Sequence, residues 1–170
     1  KGEPKSCNIV TSCEGKGKTF IMFSDDLDKA LATFVLANGA AATGQKVTIF
    51  FTFWGLNVIK KLHKPNVEKD IFGKMFGMML PSSSRKLKLS KMSMGGIGGK
   101  MMRYIMNRKG IDSLESLRQQ ALENGVEFIA CQMSMDVMGV KQEELLDEVT
   151  IGGVATYMER ADNANINLFI

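Results

Sequence analysis

The sequence predicts an α/β protein whose core is a parallel sheet of about five strands. Short apolar, β-rich runs alternate along the chain with segments whose apolar residues recur at helical spacing. Two of the runs, Lys46–Thr52 and Val126–Ala130, are largely apolar, as expected for parallel strands that helices cover on both faces. The alternation of strand and helix predicts right-handed crossovers and a doubly wound sheet.

Length and composition are typical of one domain from a reducing compartment. A chain of 170 residues can bury roughly 70% of its unfolded surface, so we expect 1–170 to be a single domain, alone or as a module of a longer protein. The odd set of three cysteines and the lack of a signal-peptide pattern predict a cytoplasmic location. No apolar stretch reaches the ~20 residues of a transmembrane helix. The net charge of +4 is spread along the chain, so nucleic-acid binding is not predicted.

Local signals place the elements in chain order. The polar run 24–26 offers oxygens that cap a helix, and Gly44 ends that helix. Asp112 or Ser113 caps a later helix, where Glu115 completes a capping box if Asp112 is the cap. The predicted strands are residues 6–13, 46–52, 126–130, 148–151 and 165–170, and the predicted helices are residues 27–44, 57–64, 114–124, 141–147 and 152–161.

Residues 15–19, Gly-Lys-Gly-Lys-Thr, invite comparison with a phosphate-binding loop. Ser12 stands where that loop needs its first glycine. Residues 19–23 are apolar and lack the helical stripe that should follow the loop. A site for nucleotide hydrolysis is therefore not predicted.

Phe53 and Trp54 follow the second predicted strand. Their bulky side chains either wall an apolar cleft at the carboxyl end of the sheet or belong to the core. The only histidine, His63, lies in a Lys-rich segment and is expected to face solvent rather than to pair with a cysteine. With one histidine and no Cys-x-x-Cys pair, no metal site is predicted.

Residues 71–109 form an insertion that is rich in methionine and glycine. Methionine fills irregular gaps and adaptable contact surfaces, and the glycine pairs within 95–99 predict hinges between two short amphipathic pieces. The insertion is therefore expected to dock on the sheet, to act as a lid or to contact another subunit, and contact with a membrane surface stays open. Eight of the thirteen methionines lie here: Met75, Met78, Met79, Met92, Met94, Met101, Met102 and Met106.

Cys131 follows the strand predicted at 126–130. The carboxyl ends of parallel strands open onto the crevice where ligands bind, so a thiol at that point is placed for reaction. Free cysteines are also common as small buried apolar residues, and this second interpretation stays open. A helix that starts after Cys131 would favour a thiolate, Gln132 and Ser134 are placed to donate hydrogen bonds to it, and Asp136 would oppose it.

Four stretches together resemble the DsrE/DsrF-like family, in its longer Met-rich branch. The resemblance implies a flavodoxin-like fold of the DsrE/YchN-like type, a homo-oligomer and a part in sulfur relay. It further implies that Cys131, by its position in the motif, carries sulfane sulfur as a persulfide and exchanges it with a TusA-like or rhodanese-like carrier protein, without a cofactor. The stretches are IFFTFWGLN at 49–57, KLKLSKMSMGGIGGKMM at 86–102, FIACQMSMDVMG at 128–139 and GGVATYMERADNANINLFI at 152–170.

Two alternatives to a persulfide carrier remain. The first is a non-enzymatic oligomeric module that binds a ligand or partner through the Met-rich insertion, with Cys131 inert. The second is a thiol peroxidase, for which no arginine stands near Cys131 in the sequence. Cys13, at the end of the first predicted strand, is the expected partner if Cys131 forms a resolving disulfide. The loop at 13–23 departs from the family pattern, so the role of Cys13 stays open.

Overall fold

The computed structural model of the chain describes residues 17–62, 81–91 and 97–170. Within these ranges, five parallel strands form one sheet in the order β4-β3-β2-β1-β5, which confirms the predicted α/β fold. The strands are β1 (Gly17–Met22), β2 (Val47–Phe51), β3 (Glu127–Cys131), β4 (Thr150–Gly152) and β5 (Ala164–Phe169). The helices are α1 (Leu27–Ala42), α2 (Ile97–Arg108), α3 (Leu114–Glu123), α4 (Gln132–Met138) and α5 (Val154–Asp162).

The two faces of the sheet carry cores of different extent. Because side chains alternate along a strand, neighbouring residues of β2 and β3 point to opposite faces. Phe51 and Phe128 belong to the larger core, which also holds buried side chains of α1, α3 and α4. The other face has a small core of four buried residues, Phe50, Ile129, Cys131 and Tyr157, the last of which comes from α5.

The strand before α1 is Gly17–Met22, a stretch to which the sequence analysis assigned no element. The predicted strand 6–13, together with Cys13, lies outside the described residues. Lys18 and Thr19 pair within β1 with residues of β2 and β5. A phosphate-binding loop needs a lysine and threonine that follow a strand and open a helix, so the structure agrees that this motif is not such a loop.

α1 forms as predicted, although its start is capped differently. The Asp26 side chain makes no capping hydrogen bond to the helix and instead forms an ion pair of 2.8 Å with Lys29. Gly44 follows the helix with a φ of 77°, a conformation that glycine adopts at little cost. Val35, on the predicted apolar stripe, is 57% exposed.

Two predicted helices, 57–64 and 141–147, are wrong in extent. The chain forms a 3-10 helix at Phe53–Ile59, and Lys60 is then extended and bridges Leu145 in antiparallel fashion. That pairing keeps Leu145 extended, so only a 3-10 turn at Gln142–Glu144 remains of the later helix. Lys61 and Leu62 are not helical either, and residues 63 and 64 of the predicted helix, with His63, lie outside the described residues.

The insertion was expected to hold two short amphipathic pieces, and its described part consists of residues 81–91 and 97–109, in which α2 is the one α-helix. Gly98 and Gly99, predicted as a hinge, lie buried inside α2. A Cβ atom on Gly99 would lie 3.0 Å from the carbonyl oxygen of Leu87, so glycine lets the helix approach this backbone. Residues 71–80 and 92–96 lie outside the described ranges.

α3 is capped by Ser113 rather than by Asp112. The Ser113 hydroxyl accepts a hydrogen bond of 3.1 Å from the backbone N–H of Ser116. Glu115 does not complete a capping box, because its carboxylate accepts hydrogen bonds from Ser84 at 3.0 Å and Arg103 at 3.1 Å. Glu115 therefore fixes α2 and the turn at Ser84 to the start of α3.

Candidate functional site

The carboxyl ends of β1, β2 and β3 are neighbours at one edge of the sheet. Cys131 is the last residue of β3, pairs with Gly152 of β4, and immediately precedes α4. Its predicted position at a strand end is therefore correct, with the strand shifted by one residue toward the C-terminus and of the length expected. Cys131 is also the only cysteine within the described ranges.

The Cys131 side chain is enclosed by apolar groups. It is only 2% exposed and packs with Phe50, Ile129 and Tyr157 on the sheet face that α5 covers. None of the described residues forms a hydrogen bond with the thiol. The enclosed thiol matches the interpretation of a small buried apolar residue, and any reaction at its sulfur requires that part of this cover move.

Gln132 and Ser134 direct their polar groups to other partners. The Gln132 side-chain amide donates a hydrogen bond of 2.9 Å to the carboxylate of Asp136 on the exposed side of α4. Ser134 is fully buried and shares a hydrogen bond of 2.8 Å with the hydroxyl of Thr52. In this closed arrangement, neither side chain supports an anion on Cys131, and Ser134 instead holds α4 against the end of β2.

Phe53 and Trp54 also contribute little to the surroundings of Cys131. Phe53 has a φ of 46°, packs at the margin of the larger core and lies 5.4 Å from the ring of Phe23, measured between centroids. Trp54 is exposed. Neither residue belongs to the small core around Cys131. The structure thus assigns Phe53 to core packing rather than to a shared cleft.

In the segment after β2, the backbone geometry requires a glycine at Gly55, and this requirement was not predicted from the sequence. Its N–H donates a hydrogen bond of 2.8 Å to the carbonyl oxygen of Phe23. A Cβ atom at Gly55 would lie 2.0 Å from the carbonyl oxygen of Met22, a distance that no side chain can occupy. A glycine directly after two bulky residues at a strand end was the available signal for this close approach.

A buried polar pair at the same edge was not predicted either. Asn57 is fully buried, and its amide donates a hydrogen bond of 3.0 Å to the carboxylate of Asp25, in the loop after β1. Burial raises the pKa of Asp25 above its ordinary value, and the bond from Asn57 offsets part of that effect. No described residue forms a hydrogen bond with the carbonyl oxygen of the Asn57 side chain. The pair joins the ends of β1 and β2.

Two cavities lie away from Cys131. One, of about 690 Å³, lies between α2 and the start of α3, and Arg85, Arg103 and Glu115 contribute to its lining. The other, of about 880 Å³, lies at the amino ends of the strands, where Lys18 and Arg160 line it. Neither cavity is lined by Cys131, so neither serves as a small-molecule pocket for chemistry at its sulfur.

α2 presents an unusual exposed surface. Ile97, Met101, Tyr104 and Ile105 recur at helical spacing, and all four are exposed. Residues 81–111 contain eight lysines and arginines and no aspartate or glutamate. We call this combination of an exposed apolar stripe and surrounding cations the α2 surface.

The described ranges contain neither a helix that could span a membrane nor a cluster of metal-binding side chains. None of the helices found there has the length and apolar character needed to span a membrane. In those ranges, histidine, cysteine, aspartate and glutamate side chains form no group of three suited to a metal ion.

The chain is similar in sequence and fold to known proteins. A family model, described as the DsrE/DsrF/DrsH-like family, matches residues 15–169. The uncharacterised protein YrkE of Bacillus subtilis is 44% identical over 155 residues, which cover 91% of this chain and 97% of YrkE. The sulfur carrier protein DsrE2 of Allochromatium vinosum is 38% identical over 161 residues, which cover 92% of this chain and 99% of DsrE2. The crystal structure of the ychN protein from E. coli covers 91% of this chain and 99% of its own, with a TM-score of 0.54 and 11% identity, a likeness of fold alone.

Proposed function

Because the chain belongs to the DsrE/DsrF/DrsH-like family, we propose that it is a sulfur-relay protein that carries sulfane sulfur as a persulfide on Cys131. The observation that carries this proposal is the place of Cys131 as the last residue of a central strand, at the carboxyl edge of the sheet. The similarity to a sulfur carrier protein over nearly the whole chain supports it. A reactive thiol of this kind needs a reducing compartment, so the cytoplasm is part of the proposal.

The proposed chemistry is a pair of thiol exchange reactions. The Cys131 thiolate attacks the terminal sulfur of a donor persulfide, a new S–S bond forms at Cys131, and the donor leaves as a thiolate with the electron pair of its broken S–S bond. In the second step an acceptor thiolate attacks the terminal sulfur on Cys131, and Cys131 leaves as the thiolate. Each step transfers one sulfur atom without net oxidation, so the exchange requires neither a metal nor a cofactor.

The surroundings of Cys131 suit storage of a persulfide. Phe50, Ile129 and Tyr157 exclude water from the sulfur. A donor or acceptor of this chemistry is a protein that carries sulfur on its own cysteine, and a TusA-like or rhodanese-like carrier fits that description.

The test is intact-protein mass spectrometry after incubation with a sulfane-sulfur donor. Wild type should gain one or more increments of about 32 Da that reduction removes, and Cys131→Ser should gain none. Cys13→Ser and Cys7→Ser are matched controls that should behave as wild type. Persistence of the full adduct in Cys131→Ser, or its absence from wild type, would overturn the assignment and favour a binding module with an inert Cys131.

A homo-oligomer is also part of the proposal, and the edge of the sheet supports it. β5 is an edge strand of the sheet in the described residues, and Ile166, Leu168 and Phe169 along it are exposed. Such an apolar edge is a typical contact between copies of a chain. Light scattering should give a mass above that of one chain, and Phe169→Lys should lower it, whereas Val35→Lys on α1 should not. A monomeric wild type would contradict this part of the proposal.

The α2 surface favours a second candidate function, which is contact with an anionic membrane surface. An apolar stripe flanked by lysine and arginine is typical of helices that lie at the lipid interface. A symmetric contact between two α2 surfaces would bring cations against cations, so a second copy of the chain is disfavoured there. An anionic lipid surface complements both the stripe and the charge.

Vesicle sedimentation tests this candidate. Wild type should bind phosphatidylcholine vesicles only when they also contain phosphatidylglycerol, and added salt should weaken binding. Met101→Glu with Tyr104→Glu should abolish binding, and Val35→Glu with Leu36→Glu, at exposed positions of α1, should leave it unchanged. Equal binding to neutral and to anionic vesicles would overturn this candidate function. So would binding to an acidic polypeptide such as polyglutamate in place of the vesicles.

A further inference from the structure

We propose that Tyr157 controls access to Cys131, because α5 covers the thiol in the closed state and must move away before a partner's sulfur can reach it. This inference deepens the proposed function and rests on it for the identity of the partner.

The cover of Cys131 has a fixed side and a side that can move. Phe50 and Ile129 belong to β2 and β3, and each of these strands is paired with a strand on both of its sides. Tyr157 and the partly buried Ala161 belong to α5, in which Tyr157 is the only buried residue. Opening the sheet would break the ladder hydrogen bonds of β2 and β3, whereas moving α5 leaves those ladders intact. The side that opens is therefore α5.

A hydrogen bond between α5 and β1 holds Tyr157 in place. Its hydroxyl lies 3.2 Å from the hydroxyl of Thr19 on β1, and both residues are buried. Thr19 donates its single hydroxyl proton to the side-chain oxygen of Asn167, so it accepts from Tyr157. The Tyr157 ring also packs on Phe50, with 5.2 Å between ring centroids. The Tyr157 ring thus covers the Cys131 thiol, and the hydrogen bond to Thr19 holds that ring in position.

The two ends of α5 are held unequally. Gly153 precedes the helix and provides no side-chain cap for its first turn. Near the other end, Arg160 donates two hydrogen bonds to the Glu127 carboxylate, of 2.9 and 3.1 Å. Both groups of this ion pair are about one-third exposed, so solvent screens it. The start of α5 is therefore the end that can lift, and Tyr157 is its one buried attachment.

The test measures the rate at which reagents alkylate Cys131, resolved from Cys7 and Cys13 by peptide mapping. Tyr157→Phe retains the ring and removes the hydrogen bond, so alkylation should accelerate about fivefold. Tyr157→Ala removes the shield as well and should accelerate a bulky maleimide more than iodoacetamide. The matched control is Tyr104→Phe, at the only other tyrosine, which is exposed on α2 and should leave the rate unchanged.

Two readouts separate access from a loss of stability. Denaturant unfolding should show that Tyr157→Phe remains folded under the alkylation conditions, and hydrogen exchange should accelerate in α5 but not in α1. Equal alkylation rates in wild type and Tyr157→Phe would overturn the inference. So would equal acceleration in Tyr157→Phe and Tyr104→Phe, or equal acceleration for both sizes of reagent in Tyr157→Ala.

The outcome for access is independent of the outcome for sulfur transfer. Faster alkylation in Tyr157→Phe without any persulfide on Cys131 would retain Tyr157 as the access residue and reject the carrier function. Persulfide formation at the same rate in wild type and Tyr157→Phe, with unchanged alkylation, would retain the carrier and reject control by Tyr157.

Discussion

The hydroxyls of Thr52 and Ser134 lie 2.8 Å apart and share a buried hydrogen bond. Thr52 directly follows β2, and Ser134 belongs to α4, the helix that begins after Cys131. This bond joins two neighbouring strand ends through side chains rather than through the sheet ladder. It therefore helps to fix the direction in which the chain leaves Cys131.

Removal of either hydroxyl should reveal an energetic coupling between Thr52 and Ser134. Ser134→Ala leaves the Thr52 hydroxyl buried without its partner and should lower the free energy of unfolding by about 1–3 kcal/mol. The double variant Thr52→Val with Ser134→Ala should cost less than the sum of the two single changes, because it leaves no orphaned group. Denaturant unfolding of all four proteins measures the difference, and strictly additive costs would contradict the coupling.

Gly55→Ala should be among the most damaging single substitutions. The added Cβ atom would lie 2.0 Å from the carbonyl oxygen of Met22, so the backbone after β2 would have to leave β1. We expect a loss of roughly 4 kcal/mol or more in the free energy of unfolding. Gly39→Ala is the control, since nothing lies within 4 Å of its added Cβ in α1, and it should stabilise by about 0.5–1 kcal/mol. Similar thermal midpoints for the two variants would refute the close approach.

Arg160→Gln should weaken the pH dependence of stability in acid. Hydrogen bonds from Arg160 lower the pKa of Glu127 below its ordinary value of 4.5. A depressed carboxyl pKa stabilises the fold above that ordinary value, and the contribution is lost as the pH falls through the folded pKa. The free energy of unfolding, measured with denaturant, should therefore fall less steeply between about pH 7 and about pH 3 in Arg160→Gln than in wild type. Arg108→Gln, at an exposed position of α2, makes the same charge change and should keep the wild-type slope.

Asp25→Asn should change the pH dependence of stability in the opposite direction. Burial raises the pKa of Asp25 above its ordinary value of 3.8, so the fold favours the neutral carboxyl. That contribution is complete below 3.8 and is lost as the pH rises through the raised folded pKa. Asparagine stays neutral and retains an acceptor for Asn57, so the stability of Asp25→Asn relative to wild type should increase with pH. Asp147→Asn, whose side chain is 88% exposed, controls for net charge, and parallel profiles for the two variants would contradict the burial argument.

The parallel sheet and the strand that ends at Cys131 could be predicted because short-range patterns determine them. An apolar run after a helix-ending Asn-Gly is sufficient to place β3. β1 was missed because its Gly-Lys-Thr start resembles a loop motif, although the apolar residues that follow are typical of a central parallel strand.

The residues that enclose Cys131 could not be predicted, because they come from distant parts of the chain. Tyr157, which covers the thiol, lies on a helix after β4, and its partner Thr19 lies on β1. Leu145 is extended for a similar reason, because it pairs with Lys60 far earlier in the chain. Local propensity does not specify such pairings.

The enclosure of Cys131 also determines which step limits the observed rate of sulfur transfer. If α5 opens and closes before each reaction, transfer to Cys131 cannot exceed the opening rate, however reactive the donor. Donors whose terminal sulfur differs greatly in reactivity toward a thiolate should then approach one common limiting rate as their concentration rises. The opening of α5, rather than the reactivity of the donor, would then set the rate of sulfur transfer. The same closed state would limit the loss of stored sulfur to small thiols.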